Sequence, residues 1–189
     1  MRSFGLPPAT AAIVVAILVT SALLVPGQVA ALPPDAGPLF ALIAQWPLPD
    51  WLGQPAALPP RALVHATPLH VLLTAVAIAV AGRLHERRFG SLATAIVVTV
   101  GAVGSVAAVE LIEGQQVLGA SGGALALCGA LLIDLARRQA GSSLFGPLVA
   151  PMLLHGALDA LVPGDYGLLH GVGLFAGVLL SRLSTARSA

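Results

Sequence analysis

Charged residues make up only 9% of the chain and aromatic residues 4%, and lysine is absent, so that all nine basic residues are arginine. With so little polar material the chain cannot coat an ordinary soluble domain. A net charge of +1, with the arginines scattered at segment ends, excludes a polyanion-binding patch and with it nucleic acid as a partner. The one cysteine, Cys128, excludes an intrachain disulfide and leaves the redox compartment unread. It lies in an apolar run, where a thiol packs as a small hydrophobe. Internal repeats, charge runs and a second-domain boundary are also missing, so residues 1–189 read as one domain.

What the chain does have is hydrocarbon. Hydrophobic residues reach 57% and the mean hydropathy is +0.94, the composition of an integral membrane protein. A helical crossing needs roughly 20 apolar residues, and six stretches approach that length. They run at about Pro8 to Val25, Val64 to Gly82, Leu92 to Ile112, Gly119 to Ala136, Leu144 to Leu161 and Tyr166 to Leu183. The first follows "MRSFGLPP" and resembles a signal peptide in position, but "LLVPGQVAALPP" sets proline and glutamine at any cleavage point, so it is expected to stay as a helix. A proline-rich loop, 26–63, separates it from the second span and carries Trp46 and Trp51, which suit the outer headgroup level.

Arginine placement orients the chain. Arg2 precedes the first span, Arg83, Arg87 and Arg88 follow the second, Arg137 and Arg138 follow the fourth, and Arg182 and Arg187 close the chain. All these fall on one side, leaving Arg61 alone on the other. By the positive-inside rule both termini are cytoplasmic, and the second, fourth and sixth spans run from outside to inside.

Polar groups inside a bilayer need a partner or a purpose. His70 falls about two turns into the second span, Ser121 in the first turn of the fourth and His170 just over one turn into the sixth, so three parallel helices bring them to one layer near the outer face. A serine hydroxyl becomes a nucleophile when a neighbouring base takes its proton, and neutral histidine is the usual base near pH 7. Ser121 and His170 are the candidate dyad. Gly119, Gly122 and Gly123 let a backbone approach the serine, and free N–H groups at the helix start favour an oxyanion. "GASGG" also fits the nucleophile elbow of soluble hydrolases, but no strand precedes it and the composition excludes that fold. Gly173 and Gly177 form a small-residue pair suited to close helix packing.

His155 and Asp159, one turn apart on the fifth span, read as a hydrogen-bonded structural pair. With His170 they lack a clear third and fourth ligand at helical spacing, so no metal site is expected there. Glu86 and Asp134, beside arginines at the inner ends, read as surface ion pairs, and Glu110 and Glu113 as solvated. A proton-relay transporter would use His155, Asp159 and His170, but such folds carry paired broken helices in corresponding halves, and no such repeat is present.

Together, three segments resemble the rhomboid family of intramembrane serine proteases over about residues 61 to 183. "HATPLHVLLTAVAIAVAGRLHERRFG" resembles the family's second transmembrane helix and its exit, with His65, His70 and the Gly82, Glu86, Gly90 spacing. "GASG" resembles the nucleophile motif, and "HGVGLFAG" the sixth helix, with glycines three and seven positions after the histidine. The resemblance implies an all-α bundle of six transmembrane helices with cytoplasmic termini and an active site opening to the non-cytoplasmic side, in the cell membrane. It implies Ser121 as nucleophile, His170 as general base and acid, and His70 with the Ser121 backbone N–H at the oxyanion site. Gly119, Gly122, His65, Gly173 and Gly177 would support them. The substrate would be a single-pass or other transmembrane protein in the lipid bilayer, cut in or beside its helix, without metal or organic cofactor. Two residues depart from the pattern. Thr74 stands at the oxyanion site where the family usually has asparagine, offering one hydroxyl donor in place of an amide, and Leu125 stands where it commonly has tyrosine, which leaves an inactive rhomboid-like protein that binds membrane helices as the alternative.

Overall fold

The computed structural model describes residues 5–24, 57–65, 67–114, 117–138, 145–161 and 166–182. Most of the proline-rich loop, Trp46 and Trp51 included, lies outside the described residues. So do the termini with Arg2 and Arg187.

The helices are α1 (Pro8–Leu24), a short α2 (Leu58–Arg61), α3 (Pro68–Phe89), α4 (Ser91–Glu113), α5 (Ser121–Arg138), α6 (Phe145–Leu161) and α7 (Tyr166–Leu180), and no strand occurs among the described residues. α3 and α4 are long and apolar enough to cross a membrane, while α1, α6 and α7 carry shorter apolar stretches. α5 is the centre of the bundle and packs against α3, α4, α6 and α7. Every residue from Val117 to Leu131 is buried. Large apolar side chains point outward instead on the surrounding helices, among them Val15, Leu72, Leu92, Leu153 and Phe175. A buried axial helix inside a ring with apolar outer faces is the arrangement expected where the solvent is hydrocarbon.

Small residues let α4, α5 and α7 approach so closely. A Cβ placed on Gly173 would sit 2.6 Å from the Gly122 Cα, and one on Gly177 would sit 2.7 Å from the Ala126 Cα. The same stretch of α5 also meets α4, where a Cβ on Gly101 would touch the Ala126 Cβ and lie 3.1 Å from the Gly123 Cα. Backbone-to-backbone packing of this kind maximises dispersion contacts, which substitute for the hydrophobic effect in lipid.

Several helix ends differ from expectation. α3 begins at Pro68, four residues later than apolar counting places it, because the Thr67 Oγ1 accepts from the His70 N–H at 3.1 Å and proline suits the first helical position. His70 therefore lies in the first turn of α3, not two turns in. The helix then continues past Gly82 through its arginines to Phe89, and Gly90 caps it. α5 begins at Ser121, not Gly119, since Gly119 has φ of 124°, which no right-handed helix allows.

Charged groups also find different partners. Glu110 is not simply solvated: it accepts from the buried Arg61 Nη2 at 2.7 Å. Glu86 is buried and not a surface group. Its carboxylate accepts from the Ala9 N–H at 2.9 Å, from the Thr10 N–H and Oγ1 at 2.7 Å each, and from the Ser91 Oγ at 2.7 Å. It caps the start of α1, where free N–H groups and the helix dipole favour an anion. Asp134 keeps the expected ion pair, with the Arg88 Nε at 2.8 Å.

Candidate active site

The loop before α5 is held in place by the segment before α3. The Gly119 N–H donates to the Arg61 carbonyl at 3.0 Å, and the Ala120 N–H donates to the His65 Nε2 at 3.2 Å. Because that nitrogen must accept, the His65 ring proton sits on Nδ1, from which it donates to the Leu63 carbonyl at 3.2 Å. A side chain at Gly119 would be crowded and strained, since a Cβ would meet the His70 ring at 3.2 Å and the His65 ring at 3.3 Å and φ is 124°. The motif residues Gly119 and Ala120 are thus wedged between two imidazoles, and Ser121 follows them as the first residue of α5.

Ser121 is fully buried, and its Oγ makes no hydrogen bond among the described residues. His70 and His170 are 2% and 8% exposed, and their ring centroids are 6.4 Å apart. His170 is on the α5 side of α7 by register: Gly173 and Gly177, three and seven residues on, touch Gly122 and Ala126 of α5. Ser121 and His170 therefore stand one residue and about one turn, respectively, beyond the same glycine contact. A serine–histidine hydrogen bond is absent in this resting geometry, although apo sites commonly tighten that bond only when substrate binds.

Two further side chains join the cluster. The His155 ring lies 6.2 Å from that of His70 and 5.2 Å from that of His170. Its Nδ1 donates to the Pro151 carbonyl at 2.8 Å, which leaves Nε2 to accept from the Thr74 Oγ1 at 3.3 Å. Thr74, fully buried, faces the imidazoles, but its one proton is directed to His155. The side chain of Asp159 lies outside the described residues, and the expected His155–Asp159 pair lies there with it. Leu125 is buried in the core among α5 neighbours.

Spacing along one helix could not reveal the association of His155 with His70, because the two residues come from different helices. One ring nitrogen from each of His70, His155 and His170 lies within 4.8 Å of the others. The His70 ring of α3 thus stands beside the two imidazoles of α6 and α7.

No curated protein matches the chain closely. Residues 54–187, more than half its length, match the model of the Rhomboid domain, and the segments that carry the match build the buried serine and histidine cluster, so the chain belongs to the rhomboid family of intramembrane proteins.

Proposed function

We propose that this protein is an intramembrane serine protease that hydrolyses a peptide bond in or next to the transmembrane helix of a membrane-protein substrate. The observation that supports it most is the glycine contact between α5 and α7, which sets Ser121 and His170 at the same end of one interface. In this reading His170 takes the Ser121 proton as Oγ attacks the scissile carbonyl carbon. The oxyanion so formed is held by His70 and by the Ser121 N–H, a first-turn donor without a partner inside its helix. His170 then returns the proton to the leaving amine as the C–N bond breaks, and water repeats the sequence on the acyl-enzyme. Six helices cross the membrane with both termini in the cytoplasm, in the cell membrane, and the site opens outward, where water reaches the serine. Helical backbone hides its carbonyls, so a substrate with Gly, Ala or other small residues near the outer face, where a helix unwinds most readily, fits best.

A fluorophosphonate probe tests this directly. Labelling of the purified protein that vanishes in Ser121→Ala establishes an activated serine. Absence of labelling from well-folded protein favours the second reading, a rhomboid-like protein that binds membrane helices without cutting them. The resting Ser121 hydroxyl, which makes no hydrogen bond among the described residues, and the commitment of Thr74 to His155 are the observations on that side.

A further inference from the structure

The protease chemistry uses His70 and His170 but has no task for His155. That residue is 1% exposed, and a buried imidazole between two others is a costly arrangement in a membrane core. We propose that His70, His155 and His170 form a binding site for one divalent transition-metal ion of the zinc class, and that its occupation silences Ser121 by claiming the ring nitrogen of His170 that must accept the serine proton. The silencing half rests on the protease reading. The metal site does not.

Three observations carry the site. The first is convergence: α3, α6 and α7 each deliver one imidazole, and the donor atoms lie within 4.8 Å of one another. Zn–N bonds of about 2.0–2.1 Å in a tetrahedral site set donor atoms about 3.3 Å apart, so ring rotations closing the set by no more than about 1.5 Å complete it. The second is the outer contact. Metal-bound histidines characteristically donate their other ring N–H to a carbonyl or carboxylate, which fixes the tautomer and aims the lone pair at the ion. His155 is held in that way by the Pro151 carbonyl, with its Nε2 turned toward Thr74 and the cluster. The third concerns the number of ligands. His65 also packs edge-on against His70, at 4.9 Å between centroids, but its Nε2 is taken by the Ala120 N–H and its Nδ1 by the Leu63 carbonyl. Three imidazoles remain, the ligand number of catalytic zinc sites that leave a fourth position for water.

All three donors are nitrogens, which suits Zn²⁺, Co²⁺ and Cu²⁺ and disfavours Mg²⁺ and Ca²⁺, whose ligands are oxygens. Binding must displace the Thr74 hydroxyl from the His155 Nε2, a neutral hydrogen bond. It also removes the base from Ser121, because one lone pair cannot serve both a metal and a proton.

The direct test uses full-length Ser121→Ala protein, in which protease activity plays no part, stripped with chelator and titrated with Co²⁺ in detergent. The expected result is one equivalent bound with the intense visible bands of a four-coordinate ion, lost on adding Zn²⁺ and unaffected by Mg²⁺. His155→Ala in the same background should weaken Co²⁺ binding at least about tenfold, a loss that even outer-sphere partners of a metal can cause. His155→Gln, which keeps volume and polarity, should do the same if His155→Ala fails to fold. Stoichiometric binding that survives both substitutions, or no binding by folded protein, overturns the site. In wild-type protein, Zn²⁺ should block fluorophosphonate labelling of Ser121 and chelator should restore it. Labelling indifferent to bound Zn²⁺ overturns the silencing half. Metal bound to a protein that never labels, even after chelation, refutes the protease reading and leaves the site standing.

Discussion

Gly173→Ala separates the geometry of the site from the stability of the bundle. The added methyl would lie 2.6 Å from the Gly122 Cα, whereas ordinary van der Waals contact begins at 3.4 Å, so α7 must retreat from α5 by at least about 0.8 Å. His170, one turn away on the same rigid helix, moves with it. The methyl also meets the Gly122 carbonyl oxygen and carbon, backbone atoms that cannot rotate away, so the cost lies at or above the upper end of the about 1–3 kcal/mol usual for overpacking, and the better helix propensity of alanine returns at most about 1 kcal/mol. Displacement of a catalytic group by about 1 Å costs on the order of 100-fold in rate. The expected outcome is a clear fall in melting temperature, followed by circular dichroism, and, in protein labelled well below that temperature, a roughly 100-fold slower rate of fluorophosphonate labelling. Gly171→Ala on the same helix is the matched control. A Cβ there meets nothing within 4 Å, so this variant should melt at or above the parent temperature and label at the parent rate. A Gly173→Ala protein that labels as fast as its parent would refute the claim that this contact sets the serine–histidine geometry.

Other residues give sharper tests of individual contacts. Glu86→Gln replaces one acceptor oxygen of the α1 cap by an NH2 that a hydroxyl can turn to accept from but a backbone N–H cannot, so one backbone hydrogen bond is lost and the others lose their charge. It should lower stability by roughly 3 kcal/mol in denaturant titration while sparing labelling at low temperature, and an unchanged midpoint would show that α1 does not depend on this cap. His65→Leu leaves the buried Ala120 N–H without its acceptor, at a cost of about 1–3 kcal/mol, and frees the turn at Gly119. Slower labelling is expected, and a parent-like rate would mean that the turn holds Ser121 without His65.

Much of this site was legible from residue type and spacing. Ser121, His70 and His170 stand at polar positions in apolar segments, and the Gly173 and Gly177 pair packs as small residues in membrane helices do. Helix starts were read less well, because counting toward a span length ignores caps. Thr67 and Pro68, a cap and first-turn pair, were there to be seen, and they move the start of α3 past His65 and bring His70 into its first turn. Long-range partners were not legible at all. Glu86 and Ala9 are 77 residues apart, and Thr74 and His155 are 81 apart, so no local pattern pairs them. The same blindness hid the third imidazole: periodicity reports which residues share a face of one helix, never which faces of two helices meet.

Thr74 is where these readings collide, and one substitution separates them. A threonine hydroxyl has one proton, and here it is donated to the His155 Nε2 at 3.3 Å. It cannot also stabilise an oxyanion without breaking that bond. The amide that the rhomboid family usually carries at this place has two N–H groups, enough to hold a histidine with one and reach a developing oxyanion with the other. Thr74→Asn should therefore raise turnover on a cleavable transmembrane helix, and the gain should appear in kcat and kcat/KM together, as expected for an interaction made only in the transition state. An effect on docking would instead lower KM. Losing one oxyanion donor elsewhere costs about 2.7–4 kcal/mol, so a gain of even tenfold is a small part of what such a donor supplies. Ser121→Ala provides the blank, and circular dichroism checks that the fully buried position accepts the amide. A folded Thr74→Asn protein with unchanged or lower kcat would show that the hydroxyl is no defect, and that Thr74 serves His155 and not the oxyanion.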